Sequence, residues 1–274
     1  MKHLILTYLT LIGLSSFALA QEKSSVSENL FFESPLEAKI WEEAQDEPLN
    51  LFMAVHADEI QEQKWNELVE ILDKKRSKTK NDLNFLRAIF QKSHQQLLKD
   101  YVKHSTFNEM LESGKFDCVS GSATLGMLLD RYGYDFEIVE TDYHVFIVTT
   151  VDEKEIILES TLPIGGMITS PSEVQDYLES YKPVEFAQLA SLTERLGSAD
   201  QTLSDHAIFR KVSLTQLAGL QYYNDAITHF NDQAYGLASK QLSKALVLYE
   251  SERIKNLKDL AKEQAYKVYG YDVK

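Results

Sequence analysis

Apolar residues recur at steps of three and four between Pro35 and Phe107, most clearly at Leu83, Leu86, Phe90, His94, Leu97 and Tyr101. That spacing gathers side chains on one face of an α-helix. Trp65, Leu68 and Leu72 mark a second such helix and Trp41 lies in a third, so the whole region is predicted to be helical. Between Gly114 and Pro163 the pattern changes. Val119 to Tyr132 reads as a helix with Leu125, Leu128, Leu129 and Tyr132 on its apolar side and Gly133 as its stop. Three strand-like runs follow: Tyr134 to Thr141, where Phe136 and Ile138 alternate with charged residues; Tyr143 to Val151, rich in β-branched and aromatic residues; and Glu155 to Thr161, carrying Ile156, Ile157 and Leu158. Asp152-Glu153-Lys154 joins the last two as a hairpin. Gly165-Gly166 breaks regular structure, the stretch from Ala187 to Asp205 reads as a helix followed by a linker, and the remainder is helical.

The first twenty residues have a different character. Met1-Lys2-His3, the apolar stretch Leu4 to Leu14 and the small-x-small ending Ala18-Leu19-Ala20 are the parts of a cleavable export signal. The apolar stretch is shorter than the roughly 20 residues of a spanning helix. Residues 1–20 are therefore expected to be a signal peptide, the product secreted or periplasmic, and no membrane span is expected after cleavage. Residues 21–34 are polar and expected to be flexible. The formal net charge of −14 repels nucleic acid and anionic lipid, so neither is an expected partner.

Cysteine usage narrows the chemistry. Exported chains that use cysteine for stability carry it in pairs, and here Cys118 stands alone. Either it is buried and inert, or its reactivity is the reason for its presence. It falls at the predicted start of a helix, where free N–H groups and the helix dipole favour thiolate over thiol, so a lowered pKa is expected. The bland alternative is a small packed residue behind Asp117, an ordinary N-cap.

Two further residues complete a constellation. His144 offers an imidazole able to accept and return a proton near neutrality. Glu159 offers a carboxylate to fix the ring's tautomer and orientation. They share a sheet face only if paired residue numbers across the hairpin sum to an odd value. A two-residue turn at Asp152-Glu153 gives 305 and makes them diagonal neighbours, about 7 to 8 Å apart at the backbone. A bulge-free three-residue turn would put them on opposite faces. His94 lies on a helical stripe and is read as a packed residue, as are His56 and His104, which lack a partner at ligand spacing. Cys118, His144 and Glu159 contain no short ligand pair for zinc, so neither a metal nor another cofactor is expected.

Three segments, Asp117-Cys118-Val119-Ser120-Gly121-Ser122-Ala123, His144-Val145-Phe146 and Leu158-Glu159-Ser160-Thr161, occur in the order Cys, His, acid. With the Cys heading a Cys-x-x-Gly-x-Ala helix, residues 80–165 resemble the transglutaminase-like superfamily of papain-type cysteine domains. The resemblance implies Cys118 as nucleophile, His144 as its partner and Glu159 as the third member, where the family usually has Asp in a Leu-Asp-Pro-Thr context. It also implies the Cys118 backbone N–H as first oxyanion donor; a second donor is not readable. Tyr222, Ala226, Ala238, Leu242 and Ala245 are similarly placed to the packing residues of one tetratricopeptide helix pair, about 34 residues long.

The expected architecture is α+β: a papain-like core with an antiparallel sheet packed on the Cys118 helix, flanked by N-terminal helices (residues 35–186 together), then a linker and tetratricopeptide-like helical region (187–274). The expected function is an exported cysteine enzyme acting on peptide or protein amides through a thioester, by hydrolysis or acyl transfer to an amine. The alternative is an inactive scaffold of the same fold that binds a protein or glycan partner through its helical C-terminal region.

Overall fold

A computed structural model describes residues 30–44, 47–57, 62–182 and 208–270. The expected signal peptide, most of the expected flexible segment and the expected helix and linker at 187–205 lie outside the described residues. The end of the segment expected to be flexible is held in place: Phe32 packs its ring on Trp41 with centroids 5.8 Å apart, and Ser34 caps the first helix.

Four helices open the described chain: α1 (Pro35–Glu43), α2 (Pro48–Ala54), α3 (Gln63–Arg76) and α4 (Asp82–Gln96). Side-chain caps start two of them, Ser34 accepting from the Glu37 amide at 2.9 Å and Asn81 from the Asn84 amide at 2.8 Å. Helix α4 stops before Tyr101, which the helical spacing had placed on its stripe. Past Leu97 the amides of Lys99 and Asp100 turn to the Gly114 carbonyl, at 3.0 and 3.1 Å. Tyr101 thereby enters a short strand, β1 (Asp100–Tyr101), parallel to β2 (Lys115–Phe116), with α5 (Phe107–Ser113) between them. Helix α6 (Cys118–Arg131) follows at once and ends against Gly133, whose φ of 72° is left-handed.

The sheet comprises β3 (Phe136–Thr141), β4 (Val145–Val151), β5 (Lys154–Leu158), β6 (Met167–Ile168) and β7 (Phe209–Val212). Its order is β6-β5-β4-β3-β7, antiparallel throughout. Strand alternation divides the residues between two layers. Ile138, Val145, Ile147, Ile156 and Leu158 join the main core with α6, while Val139, Phe146, Val148 and Ile157 pack with Val174 of α7 (Pro171–Tyr181). The chain is thus a mixed helix and sheet structure, as the α+β expectation requires.

The β4–β5 hairpin has the register on which the site depends. Ile147 faces Leu158 and Val151 faces Lys154, pairs that sum to 305, across the two-residue turn Asp152-Glu153. Both turn residues have left-handed φ, 50° and 63°, the conformation that suits the twist of a two-residue hairpin.

The C-terminal region, expected to be helical, first supplies β7 as the edge strand beside β3. Four residues, Phe-Arg-Lys-Val, are too few to stand out by alternation. Helices α8 (Leu214–Asn231), α9 (Tyr235–Leu248) and α10 (Glu252–Tyr269) follow. Tyr222, Ala226, Ala238, Leu242 and Ala245 are all fully buried where α8 and α9 pack as a hairpin. The two regions expected as separate units share one core, which runs from Ala44 to Ala261. Buried polar bonds stitch them. Gln221 of α8 accepts from the Phe107 amide at 2.8 Å and donates to the Phe52 carbonyl at 2.9 Å, and the fully buried Lys244 ammonium of α9 sits 2.6 Å from Glu37 of α1. No helix among the described residues is long and apolar enough to cross a membrane.

Because L-residues pay about 1 kcal/mol for a left-handed backbone, replacing Glu153 by glycine is expected to stabilise the protein. A rise in Tm of about 2–4 °C in a thermal melt is the anticipated outcome; an unchanged or lower Tm would show that the turn carries no strain.

Candidate active site

Cys118 is the first residue of α6, directly behind the N-cap Asp117. The cap is reciprocal: the Asp117 carboxylate accepts from the Ser120 amide at 2.8 Å, and the Asp117 amide donates to Ser120 Oγ at 2.9 Å. Asp117 is buried, and its second oxygen accepts from Asn224 Nδ2 of α8 at 3.0 Å. One turn into the helix, Gly121 lets α6 approach the sheet. A Cβ there would lie 2.6 Å from Ser160 Oγ, the side chain next to Glu159. Ser122 then donates to the Val145 carbonyl at 3.2 Å and ties α6 to the start of β4.

His144 lies in the turn just before β4, not within the strand as expected. Thr141 clamps that turn: its amide and hydroxyl donate to the His144 carbonyl at 2.8 and 3.0 Å, and its Oγ1 accepts from the His144 amide at 3.1 Å. The imidazole stacks on Tyr181, centroids 5.8 Å apart at 24°, and Nε2 meets Glu159 Oε2 at 2.6 Å. Nδ1 is the ring nitrogen that the carboxylate does not engage.

Glu159 follows β5 and is 2% exposed. Its Oε1 accepts from the Thr161 amide at 2.8 Å and the Thr161 hydroxyl at 2.6 Å, and its Oε2 also takes a short hydrogen bond from the Tyr177 hydroxyl of α7. A tight loop fixes its backbone, the Glu159 amide donating to the Gly166 carbonyl at 2.8 Å. A Cβ on Gly166 would come within 2.4 Å of the Glu159 carbonyl oxygen, so only glycine closes the loop. Burial works to raise the Glu159 pKa, but the hydrogen bond and charge of His144, with Thr161 and Tyr177, hold it below the usual value.

The histidine and glutamate thus form a bonded pair, and Cys118 and His144 line one cleft of about 270 Å³ between the start of α6, the β3–β4 turn and α8. The amide of Val145, the residue after His144, acts to lower the thiol's pKa. The net effect is nevertheless opposite to the expected lowering. Burial, then the Asp117 charge, with a smaller contribution from Glu159, push the thiol up to about 12 despite the favourable Val145 and Cys118 amides. At rest Cys118 is a neutral thiol.

Several residues of the site were not found from sequence. Tyr177 and Tyr181 lie one turn apart on α7 with Val174, an aromatic face that helical spacing could have marked. Tyr101 and Asn224 line the cleft from β1 and α8, and no local pattern announces them. His94 sits between Phe90 and Phe116, its ring 4.7 Å from the former. His104 lines the cleft, and burial lowers its pKa. His56, read as a packed residue without a partner at ligand spacing, meets Asp225 at 2.6 Å. The chain matches no known family model, no curated protein and no solved structure.

Burial raises Asp117 to about 6, against the hydrogen bonds from Ser120 and Asn224. Its folded pKa lies above the unfolded value, so its contribution to stability is greatest below the unfolded pKa and is lost as pH rises through about 6. Asparagine caps equally well, so Asp117→Asn should remove that loss and lower the Cys118 pKa. The rate–pH profile of iodoacetamide alkylation measures the second effect, and a profile identical to wild type would refute the role of the Asp117 charge.

Proposed function

We propose that the chain is a cysteine-dependent amide-bond enzyme of transglutaminase-like, papain-type architecture. The observation that carries this reading is the 2.6 Å bond from His144 to the buried Glu159, with His144 and Cys118 on the same cleft. A carboxylate bound at Nε2 keeps the proton there and presents Nδ1 as the base, the role a neutral buried thiol requires.

In this mechanism Cys118 gives its proton to His144 Nδ1 as sulfur attacks the amide carbonyl carbon. The tetrahedral intermediate collapses with cleavage of the C–N bond, and the imidazolium protonates the departing amine. A thioester to Cys118 remains. Water, deprotonated by His144, hydrolyses it to the carboxylic acid, or an amine displaces the thiol in acyl transfer; the thiol is regenerated either way. Glu159 stabilises the imidazolium throughout without taking its proton. The Cys118 amide serves as the first oxyanion donor and the Tyr101 hydroxyl as the second. Burial and the neighbouring negative charges push Tyr101 up to about 12, which keeps it protonated and able to donate. The leader-like residues 1–20 support a site of action outside the cytoplasm.

The specific observation favouring the scaffold reading is the enclosure of Cys118, 8% exposed with a raised pKa. In that reading the α8–α9 hairpin, similar to a tetratricopeptide pair, carries the partner surface.

Trapping decides between them. Incubation with a mixture of glutamine-containing peptides, acid quenching and mass spectrometry should yield a thioester on Cys118. Formation should slow by about 10²–10⁴-fold in His144→Ala. Absence of any adduct, together with alkylation of Cys118 at a rate indifferent to His144→Ala, would leave the scaffold. Tyr101→Phe should lower kcat about 10²-fold with KM nearly unchanged; equal kcat in variant and wild type would remove Tyr101 from the oxyanion site.

A further inference from the structure

A second group of chemically capable side chains lies apart from the triad, where the segment after α2 meets α8. His56 comes from that segment, and Asp225 and His229 lie one turn apart on α8. One ligand atom from each of the three falls within 4.8 Å of the others. Glu33, ahead of α1, closes the group, its carboxylate 3.2 Å from His56 Nδ1 and 3.8 Å from His229 Nε2.

Three observations set this group apart from an ordinary ion pair. Asp225 is 5% exposed, and both its Oδ2 and His229 Nε2 are buried without a hydrogen-bond partner among the described residues. Those two atoms face each other at 3.5 Å. That is close to the roughly 3.3 Å edge of a tetrahedron with metal–ligand bonds of about 2.0 Å, and long for a hydrogen bond. His56 is held with φ at 54°, a strained setting for a side-chain-bearing residue. Its neighbours fix it there: Asn108 Nδ2 donates to the Met53 and Val55 carbonyls at 2.8 and 2.7 Å, and Ser34 Oγ donates to the Ala57 carbonyl at 2.7 Å.

We infer that His56, Asp225 and His229 form a binding site for a divalent transition-metal ion of the zinc type, with the Glu33 carboxylate, 3.2 Å from the other ring nitrogen of His56, orienting that imidazole. Two imidazoles and a carboxylate suit zinc and its first-row neighbours, whereas calcium and magnesium require oxygen ligands throughout. With neutral rings the two carboxylates supply two negative charges, the complement of a divalent cation. Binding lengthens the 2.6 Å contact between His56 Nε2 and Asp225 Oδ1 as the ion takes its place between them. The side chain of His56 is 39% exposed, which opens a path for entry.

The ion's role is structural. It joins the N-terminal segment to α8, next to Asn224, which holds Asp117 at the head of the Cys118 helix. The inference does not rest on the enzymatic reading; it holds for a scaffold as well.

The test uses chelator-treated full-length protein titrated with Co²⁺ and, separately, with Zn²⁺. One equivalent of Co²⁺ should bind with the visible d–d absorption of a four- or five-coordinate ion, and Zn²⁺ at about a hundredfold excess over Kd should raise Tm by roughly 5 °C or more. Both effects should disappear in His229→Gln and in His56→Gln, the latter altering a side chain that is 39% exposed, and both should persist in Cys118→Ala. A cluster held by protons alone gives no saturable binding and overturns the inference. Binding unaffected by both histidine variants, or lost only in Cys118→Ala, places the ion elsewhere and overturns it too.

Discussion

The structure turns on a carboxylate taken out of water. Glu159 is almost wholly enclosed between the sheet and α7, and an unpaired carboxylate there would cost several kcal/mol. Donors from three directions offset that cost: His144 from the turn ahead of β4, Tyr177 from α7, and Thr161 from its own loop. Each must be present for the others to be useful, because a half-satisfied buried network is worse than none. The hairpin register, the Gly166 loop and the docking of α7 are therefore parts of one arrangement. The imidazole orientation is its outward expression.

The thiol is governed by an opposing set of forces. A helix start and a strand amide both favour negative sulfur, but Cys118 sits beneath α8 with two carboxylates nearby, and burial with those charges dominates. A sulfur in this setting has no standing charge to be oxidised or alkylated indiscriminately. Reactivity, in the proposed mechanism, then requires a proton acceptor beside it, which links the position of the ring to the protection of the sulfur.

What was legible in the sequence was local. The Asp117-Cys118 helix start, the Gly133 stop and the Asp152-Glu153 turn each depend on residues within a few positions of one another, and the turn alone sets which residues His144 and Glu159 can face. What was hidden came from distance. Asn224 reaches Asp117 across 107 residues and His56 reaches Asp225 across 169, and no spacing rule encodes such pairings. The error over the thiol has the same origin: a helix start is visible in the chain, but the packing that desolvates it is not. Tyr101 continued a helical stripe on paper, yet Gly114 drew its neighbours into backbone pairing instead.

The position of β7 bears on how the molecule is made. Strand β3 has β4 on one side from early in the chain, and among the described residues its other edge pairs with residues 209–212. A ribosome releasing the chain from its N-terminus leaves that edge without its β7 partner while some seventy further residues are added. Bare edges recruit other strands. Nascent copies crowded on one messenger are thus exposed to mispairing until the last quarter of the chain begins to arrive, a hazard borne by synthesis and absent from the finished fold.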